Sequence, residues 1–177
     1  MPKFIILDRD GTIIEDRGYI HKIEDLKFLP NAIRGLKRFR DAGCRFIIVT
    51  NQAGIARKLY ALKDTETFNQ ELISKLAALG IKIEKIYICP HHPDFTGKCS
   101  CRKPETGLAK LASKEFNMNL KESIFIGDKD SDIELGKNCE GTTVLIGNGL
   151  HSNSVQPDFK AHDLNHAFEL LKTVKIV

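Results

Sequence analysis

The chain has 177 residues, 42% hydrophobic and 28% charged, which suits one domain with its own core. A formal net charge of +4 carried by scattered basic residues offers no stripe for nucleic acid and favours small anionic partners at most. No apolar run approaches a membrane span, and the N-terminus enters a strand-like run without a charged leader, so a cytoplasmic protein is expected.

In chain order, Phe4-Ile5-Ile6-Leu7 is an apolar run rich in β-branched residues that stops at Asp8-Arg9-Asp10-Gly11-Thr12. Asp16 to His21 reads as loop. Pro30 opens a helix with Ile33, Leu36 and Phe39 at helical spacing, and Gly43 follows its end. Arg45 to Val49 is a second strand ending in Thr50-Asn51-Gln52. A helix beginning near Asp64 carries Phe68, Leu72, Ile73, Leu76 and Leu79 on one face up to Gly80. A strand over 85–88 leads into a cysteine loop, then a helix over 106–116. Ser123 to Ile126 is a strand ending in Gly127-Asp128-Lys129-Asp130-Ser131-Asp132. A helix over 131–138, a last core strand over 142–146, a loop over 147–157 and a terminal helix over 164–172 complete the pattern. Strands alternating with helices predict an α/β fold with a doubly wound, mainly parallel sheet. Every insertion is short, so residues 1–177 read as a single domain with no separate cap, its site left open and its loops selecting the substrate.

Asp8 ends the first strand and Asp10 lies two residues on, where ligands of an open α/β sheet collect. Two carboxylates so placed can divide the work: Asp8 attacks as a nucleophile, while Asp10 protonates a leaving oxygen and later takes a proton from water. An Asx-type turn would also explain Asp and Gly here. Three further segments weigh against that, because each is an apolar run or helix start delivering one polar group. Thr50 offers a hydroxyl for phosphate oxygens. Lys103, in Cys101-Arg102-Lys103-Pro104, offers a point cation. The loop at Asp128 offers oxygen ligands for Mg²⁺.

The loop 89–101 holds Cys89-Pro90-His91-His92 and then Cys99-Ser100-Cys101, three thiolates and an imidazole from His91 or His92, which make a closed tetrahedral Zn²⁺ set. A disulfide framework is the competing account and sits poorly with a chain lacking a secretory signal. Four protein ligands leave no open position, so such a zinc is structural, and Cys101 would tie it to Lys103 two residues away. Cys44 and Cys139 read as small buried hydrophobes. His151, His162 and His166 read as exposed, as does His21 in its loop.

The four motifs, in this order over nearly the whole chain, resemble the haloacid dehalogenase superfamily of aspartyl-phosphate phosphatases. The zinc loop is similar to that of two capless branches, the D-glycero-D-manno-heptose 1,7-bisphosphate 7-phosphatases and the histidinol-phosphate phosphatases. Gly18-Tyr19-Ile20-His21, Thr50 to Arg57 and Gly127-Asp128-Lys129 look more like the heptose branch. Two departures are visible: Lys58 stands where that branch usually has glycine, and the short spacing of His91 and Cys99 is nearer the histidinol branch. The resemblance implies Mg²⁺ held by Asp8, the Asp10 backbone carbonyl and Asp128, with Zn²⁺ on Cys89, His91, Cys99 and Cys101. It implies Thr50 and Lys103 on the phosphoryl oxygens, Asp132 steadying the acidic loop, and Asp16, Arg17, Gly18, Tyr19, Asn51, Gln52, Ala53, Arg102 and Lys129 against the substrate. The expected partner is a small phosphorylated sugar acted on by a monomer, without nucleic acid or membrane. A nucleic-acid 3′-phosphatase and a non-catalytic phosphosugar-binding module are the readings left beside it.

Overall fold

A computed structural model describes residues 3–147 and 155–177. Strand β1 (Phe4–Leu7) sends alternate side chains to opposite faces, Ile5 and Leu7 into one buried cluster and Phe4 and Ile6 into a second. A strand apolar on both faces must be covered on both, the condition met by a parallel sheet between helices. With β2 (Arg45–Asn51), β3 (Ile83–Cys89), β4 (Ile124–Gly127), β5 (Thr142–Ile146) and β6 (Phe159–Ala161), the order is β3-β2-β1-β4-β5-β6 and every pairing is parallel.

The helices are α1 (Ala32–Asp41), α2 (Ala53–Ala56), α3 (Leu62–Ala78), α4 (Pro93–Thr96), α5 (Gly107–Phe116), α6 (Asp130–Asn138) and α7 (Leu164–Thr173). Leu36 and Phe39 of α1, Phe68, Leu72 and Leu76 of α3, and Leu164 and Leu171 of α7 join the cluster on one face. Ala109 and Ala112 of α5 and Leu135 of α6 join the other. Each large aliphatic or aromatic side chain so buried stabilises the fold by about 1.5–3 kcal/mol before chain entropy is counted. Among the described residues, no helix is long and apolar enough to cross a membrane.

Strand order reverses at β1, which has β2 on one side and β4 on the other. That reversal opens a crevice at the carboxyl ends of the strands. Asp8, Thr50 and Asp128 end or follow the three strands that meet there. Gly11 has φ of 80°, and a Cβ on it would come within 2.3 Å of an Asp128 carboxylate oxygen, so only glycine lets the first loop pass this close to the acidic one.

Some elements differ from the sequence pattern. Helix α1 begins at Ala32, not Pro30, because Asn31 takes a left-handed turn with φ of 60° and donates its amide to Asp163 at 2.7 Å. Strand β6 extends the sheet beyond β5, and its three residues are too few to show a period. Helices α2 and α4 are single turns with no periodic signature. Of the expected loop over 147–157, positions 148–154, His151 among them, lie outside the described residues.

Lys58, the departure from glycine noted above, has φ of 58°, in the left-handed region that costs a side-chain-bearing residue about 1–2 kcal/mol. Lys58→Gly should therefore stabilise the protein by roughly 0.5–1 kcal/mol after the added freedom of the unfolded chain is subtracted, raising Tm by a few degrees in a thermal melt.

Candidate active site

The crevice is organised around the Lys103 ammonium, which is buried. Its Nζ donates to Asp8 Oδ1 at 2.7 Å and to the Val49 carbonyl at 2.7 Å, and lies 2.6 Å from Asp132 Oδ1. An ammonium has three donors, and three oxygens surround this one. Burial opposes its charge, yet Asp132 and Asp8 lift its pKa above the ordinary lysine value, so it stays a cation. Its main chain is held by Asn51, whose Oδ1 accepts from Lys103 N at 3.0 Å and whose Nδ2 donates to Lys103 O at 3.2 Å.

Asp10 is fixed from behind by Arg9, which is fully buried and grips both carboxylate oxygens, Nε to Oδ1 and Nη2 to Oδ2, each at 2.9 Å. Arg9 also donates to Asn69 Oδ1 at 2.8 Å and to the Ile20 carbonyl at 3.0 Å, and its guanidinium lies 4.6 Å from the centre of the Phe68 ring. Gln52 Nε2 donates to Asp10 Oδ2 at 2.9 Å and to Thr50 Oγ1 at 2.8 Å. Burial raises the Asp10 pKa above its usual range, with the Asp8 charge adding to it, against Arg9 and Gln52. A raised carboxyl suits a general acid. Oδ1 carries one donor where Oδ2 carries two, so it is the oxygen with room for a substrate proton. Asp8, Asp10, Thr50, Asn51, Lys103, Lys129 and Ser131 line one small cavity.

Asp8, Asp128 and Asp132 place carboxylate oxygens within 4.8 Å of one another. Burial and the neighbouring Asp8 charge push the Asp128 carboxyl up to about 7, and its Oδ1 is buried without a hydrogen-bond partner. Crowded, under-satisfied carboxylates are the oxygen-rich environment that a hard divalent cation relieves. Asp132 also accepts from Lys129 N at 3.1 Å through Oδ2, so it steadies the acidic loop and braces Lys103 together.

The remaining residues singled out from the sequence form a rim. Asp16 accepts from Lys129 Nζ and from Gly18 N, each at 2.9 Å, and these contacts hold it below the usual carboxylate range against the effect of burial. Arg17 turns outward to Glu15 at 2.6 Å. Tyr19 is exposed, and Ala53 begins α2 beside Gln52. Arg102 Nη1 donates to the His91 carbonyl at 3.0 Å. The Gln52 and Asn51 amides are committed inside the protein, to Asp10, Thr50 and Lys103, instead of lying free towards a substrate.

Cys89, Cys99 and Cys101 have sulfur separations of 3.0, 3.4 and 3.7 Å, far beyond a disulfide bond and close enough to share one ion. The group of ligand atoms within 4.8 Å of one another comprises these three thiols and does not include the His91 ring. His92 is occupied elsewhere, accepting from Asp94 N at 3.3 Å with Arg57 Nη2 at 3.5 Å from its Nε2.

Arg9, Asn69 and Tyr60 were not marked by the sequence. An arginine between two catalytic-type aspartates was the available signal, since a charge at the end of a wholly buried strand needs partners inside the protein.

A family model described as Polynucleotide kinase 3 phosphatase matches residues 3–173. The chain belongs to that family. Among its relatives, a D-glycero-alpha-D-manno-heptose-1,7-bisphosphate 7-phosphatase of Photorhabdus laumondii is 37% identical over 98% of this chain and 97% of its own. A D-glycero-beta-D-manno-heptose-1,7-bisphosphate 7-phosphatase of Yersinia pestis is also 37% identical, over 97% of this chain and 94% of its own. A crystal structure of D,D-heptose 1,7-bisphosphate phosphatase from B. bronchiseptica, complexed with magnesium and phosphate, superposes with a TM-score of 0.86 at 26% identity, covering 97% of this chain and 99% of that one. A putative HAD-like phosphatase from Mesorhizobium loti and a haloacid dehalogenase-like hydrolase from Streptococcus pneumoniae share the fold as well.

For this member of the family, the raised Asp128 pKa gives a pH prediction. A carboxyl near 7 in the folded state and 3.8 unfolded holds a proton that the unfolded chain releases, so stability is greatest below about pH 4 in this respect and falls as pH rises to about 7. In EDTA-treated protein, Asp128→Asn should remove most of that decline in Tm, and excess Mg²⁺ should raise the Tm of the unsubstituted protein more at pH 8 than at pH 5.

Proposed function

We propose that the protein hydrolyses the C7 phosphate of D-glycero-D-manno-heptose 1,7-bisphosphate through a phosphate ester on Asp8. The observation that carries this is the convergence of Asp8, Asp10, Thr50 and Lys103 on one cavity, in a chain 37% identical over nearly its full length to phosphatases of that substrate. Relatives named for the α and the β anomer match equally well, so identity does not choose between them.

Asp8 attacks phosphorus, and its plane is set in advance by the Lys103 contact at Oδ1. As the Asp8–phosphorus bond forms and the bond to the C7 oxygen breaks, the Asp8 carboxylate loses its charge, the electron pair leaves with the C7 oxygen, and the phosphoryl oxygens carry extra charge only in passing. The Lys103 donor that held Asp8 follows it, while Val49 and Asp132 keep the ammonium in place. Thr50 supplies a second donor, since its oxygen already accepts from Gln52 and its own proton is free to point into the cavity. Asp10 gives its proton to the departing C7 oxygen and then takes one from the water that cleaves the ester. Asp8, Asp128 and the Asp10 carbonyl would hold Mg²⁺, which when bound would supply the positive charge that lets one anion approach another.

Substrate selection falls to the rim: Asp16 to Tyr19, Arg102, Lys129 and the Asn51 to Ala53 turn, with Asn51 and Gln52 acting by positioning. The polynucleotide activity in the family's name would need a groove tracking a strand. Here Arg17, Lys129 and Arg102 are each tied to Glu15, Asp16 or the His91 carbonyl, which favours a small substrate. Zn²⁺ on Cys89, Cys99 and Cys101, with His91 as fourth ligand, would lock the loop that carries Arg102 and Lys103. No disulfide joins the five cysteines, which suits a reducing cytoplasm, and a monomeric single domain is part of the proposal.

Two measurements test this. Asp8→Asn should lose turnover by at least about a thousandfold while its thermal melt stays cooperative, and phosphate release should favour the heptose bisphosphates over histidinol phosphate and a 3′-phosphorylated oligonucleotide. Preference for either of the latter substrates would overturn the assignment. Separately, Cys99→Ser or Cys101→Ser should lower bound zinc in metal analysis and lower Tm together, since structural zinc contributes to folding.

A further inference from the structure

Tyr60 lies in the turn between α2 and α3, is nearly buried, and belongs to none of the motifs. Its hydroxyl donates to Gln52 Oε1 at 2.8 Å. We infer that Tyr60 is a positioning residue for proton transfer by Asp10, acting through the Gln52 amide. The inference rests on the reading of Asp10 as acid and base and extends it to a residue outside the cavity.

The polarity of the chain of contacts carries the argument. Asp10 Oδ2 already faces the Arg9 Nη2 donor, so with the acid's proton on Oδ1 or absent it remains an acceptor, and Gln52 turns its nitrogen to Asp10 and Thr50 and its oxygen away. A glutamine amide can rotate by half a turn at little cost, and a donor beyond Oε1 adds to the cost of that rotation. Tyr60 is that donor. Burial pushes the phenol up to about 12, so it stays protonated. A Cβ on Gly54 would lie 2.2 Å from the Tyr60 ring, so glycine in Thr50-Asn51-Gln52-Ala53-Gly54 is what admits the ring to this position.

Tyr60 is also tied to the substrate rim. The His21 ring stacks on it, with centroids 4.5 Å apart and planes at 19°. His21 belongs to the loop that bears Asp16 to Tyr19, and the same loop accepts from Arg9 through the Ile20 carbonyl. Both supports of Asp10, Arg9 from behind and Gln52 at the side, therefore reach the rim loop, Arg9 through the Ile20 carbonyl and Gln52 through Tyr60 and His21.

The test exploits the leaving group. Phenyl phosphate releases a more basic oxygen than 4-nitrophenyl phosphate and needs the acid more, and neither has a second phosphate for the rim to hold. In full-length, Mg²⁺-loaded protein, Tyr60→Phe should lower kcat/KM for phenyl phosphate roughly tenfold and for 4-nitrophenyl phosphate by no more than about twofold, the size expected of one hydrogen bond to a charged group's partner. In a Gln52→Ala background, Tyr60→Phe should cost nothing further. Equal losses on the two esters, or additive losses in the double variant, would overturn the inference and leave Tyr60 a packing residue. Asp10→Ala separates the two readings. If it shows the steep leaving-group dependence and Tyr60→Phe does not, the relay fails alone; if Asp10→Ala shows none, the acid role of Asp10 fails and takes the relay with it.

Discussion

A single buried cation holds this site together. Withdrawing the Lys103 ammonium from water costs several kcal/mol, and Asp8, Asp132 and the Val49 carbonyl offset that only because they meet it together. Asp8 follows β1, Val49 lies in β2, and Asp132 lies in α6 after β4, so the contact is available only when the three elements are docked in register. The reverse also holds. Asp8, Asp128 and Asp132 crowd one another, and without the lysine their repulsion would act directly across the β1 to β4 edge. On the proposed mechanism Asp8 is thus stored beside the charge that would later stabilise the phosphoryl group, and Lys103 would serve both structure and chemistry.

Arg9 plays the corresponding part behind Asp10. Its position in the chain, between the two carboxylates, forces it to the other side of the strand end and into the core, where a bare guanidinium would be costly. Asn69, the Ile20 carbonyl, the Asp10 carboxylate and the face of Phe68 receive it. Helix α3 and the rim loop are thereby pinned to the acid. The cost of burying charge is converted into a carboxyl whose direction is fixed by Arg9, the preorganisation that the proposed proton transfer would require.

The cysteine loop carries the same economy across the crevice. Cys101, Arg102 and Lys103 are consecutive, so whatever holds the thiol group together also sets where the lysine can reach. Asn51 completes the clamp from β2 with both ends of its amide on the Lys103 main chain. A small fold without a cap keeps its site ordered in this way through charge and hydrogen bonding among loops, each loop borrowing rigidity from a strand.

The sequence by itself determined five of the six strands, the main helices and most of the polar residues that gather at the crevice. Apolar runs of β-branched residues stop at Asp8, Thr50 and Asp128 because a buried strand tolerates such groups only where it leaves the sheet. The cysteine grouping was legible as well, since three thiols within thirteen positions read as one set, and the fold brings their sulfurs within 3.7 Å. What the tertiary structure alone decided is which polar group answers which. That Asn51 serves Lys103, that Gln52 spans Asp10 and Thr50, and that Tyr60 and Asn69 belong to the site at all depends on contacts between residues as far as sixty positions apart. Hydrogen bonds of that kind leave no period in the chain, because their geometry is set by the docking of whole elements and not by the residues beside them. Strand β6 and the one-turn helices α2 and α4 were hidden by the same physics: elements so short owe their form to what they pack against.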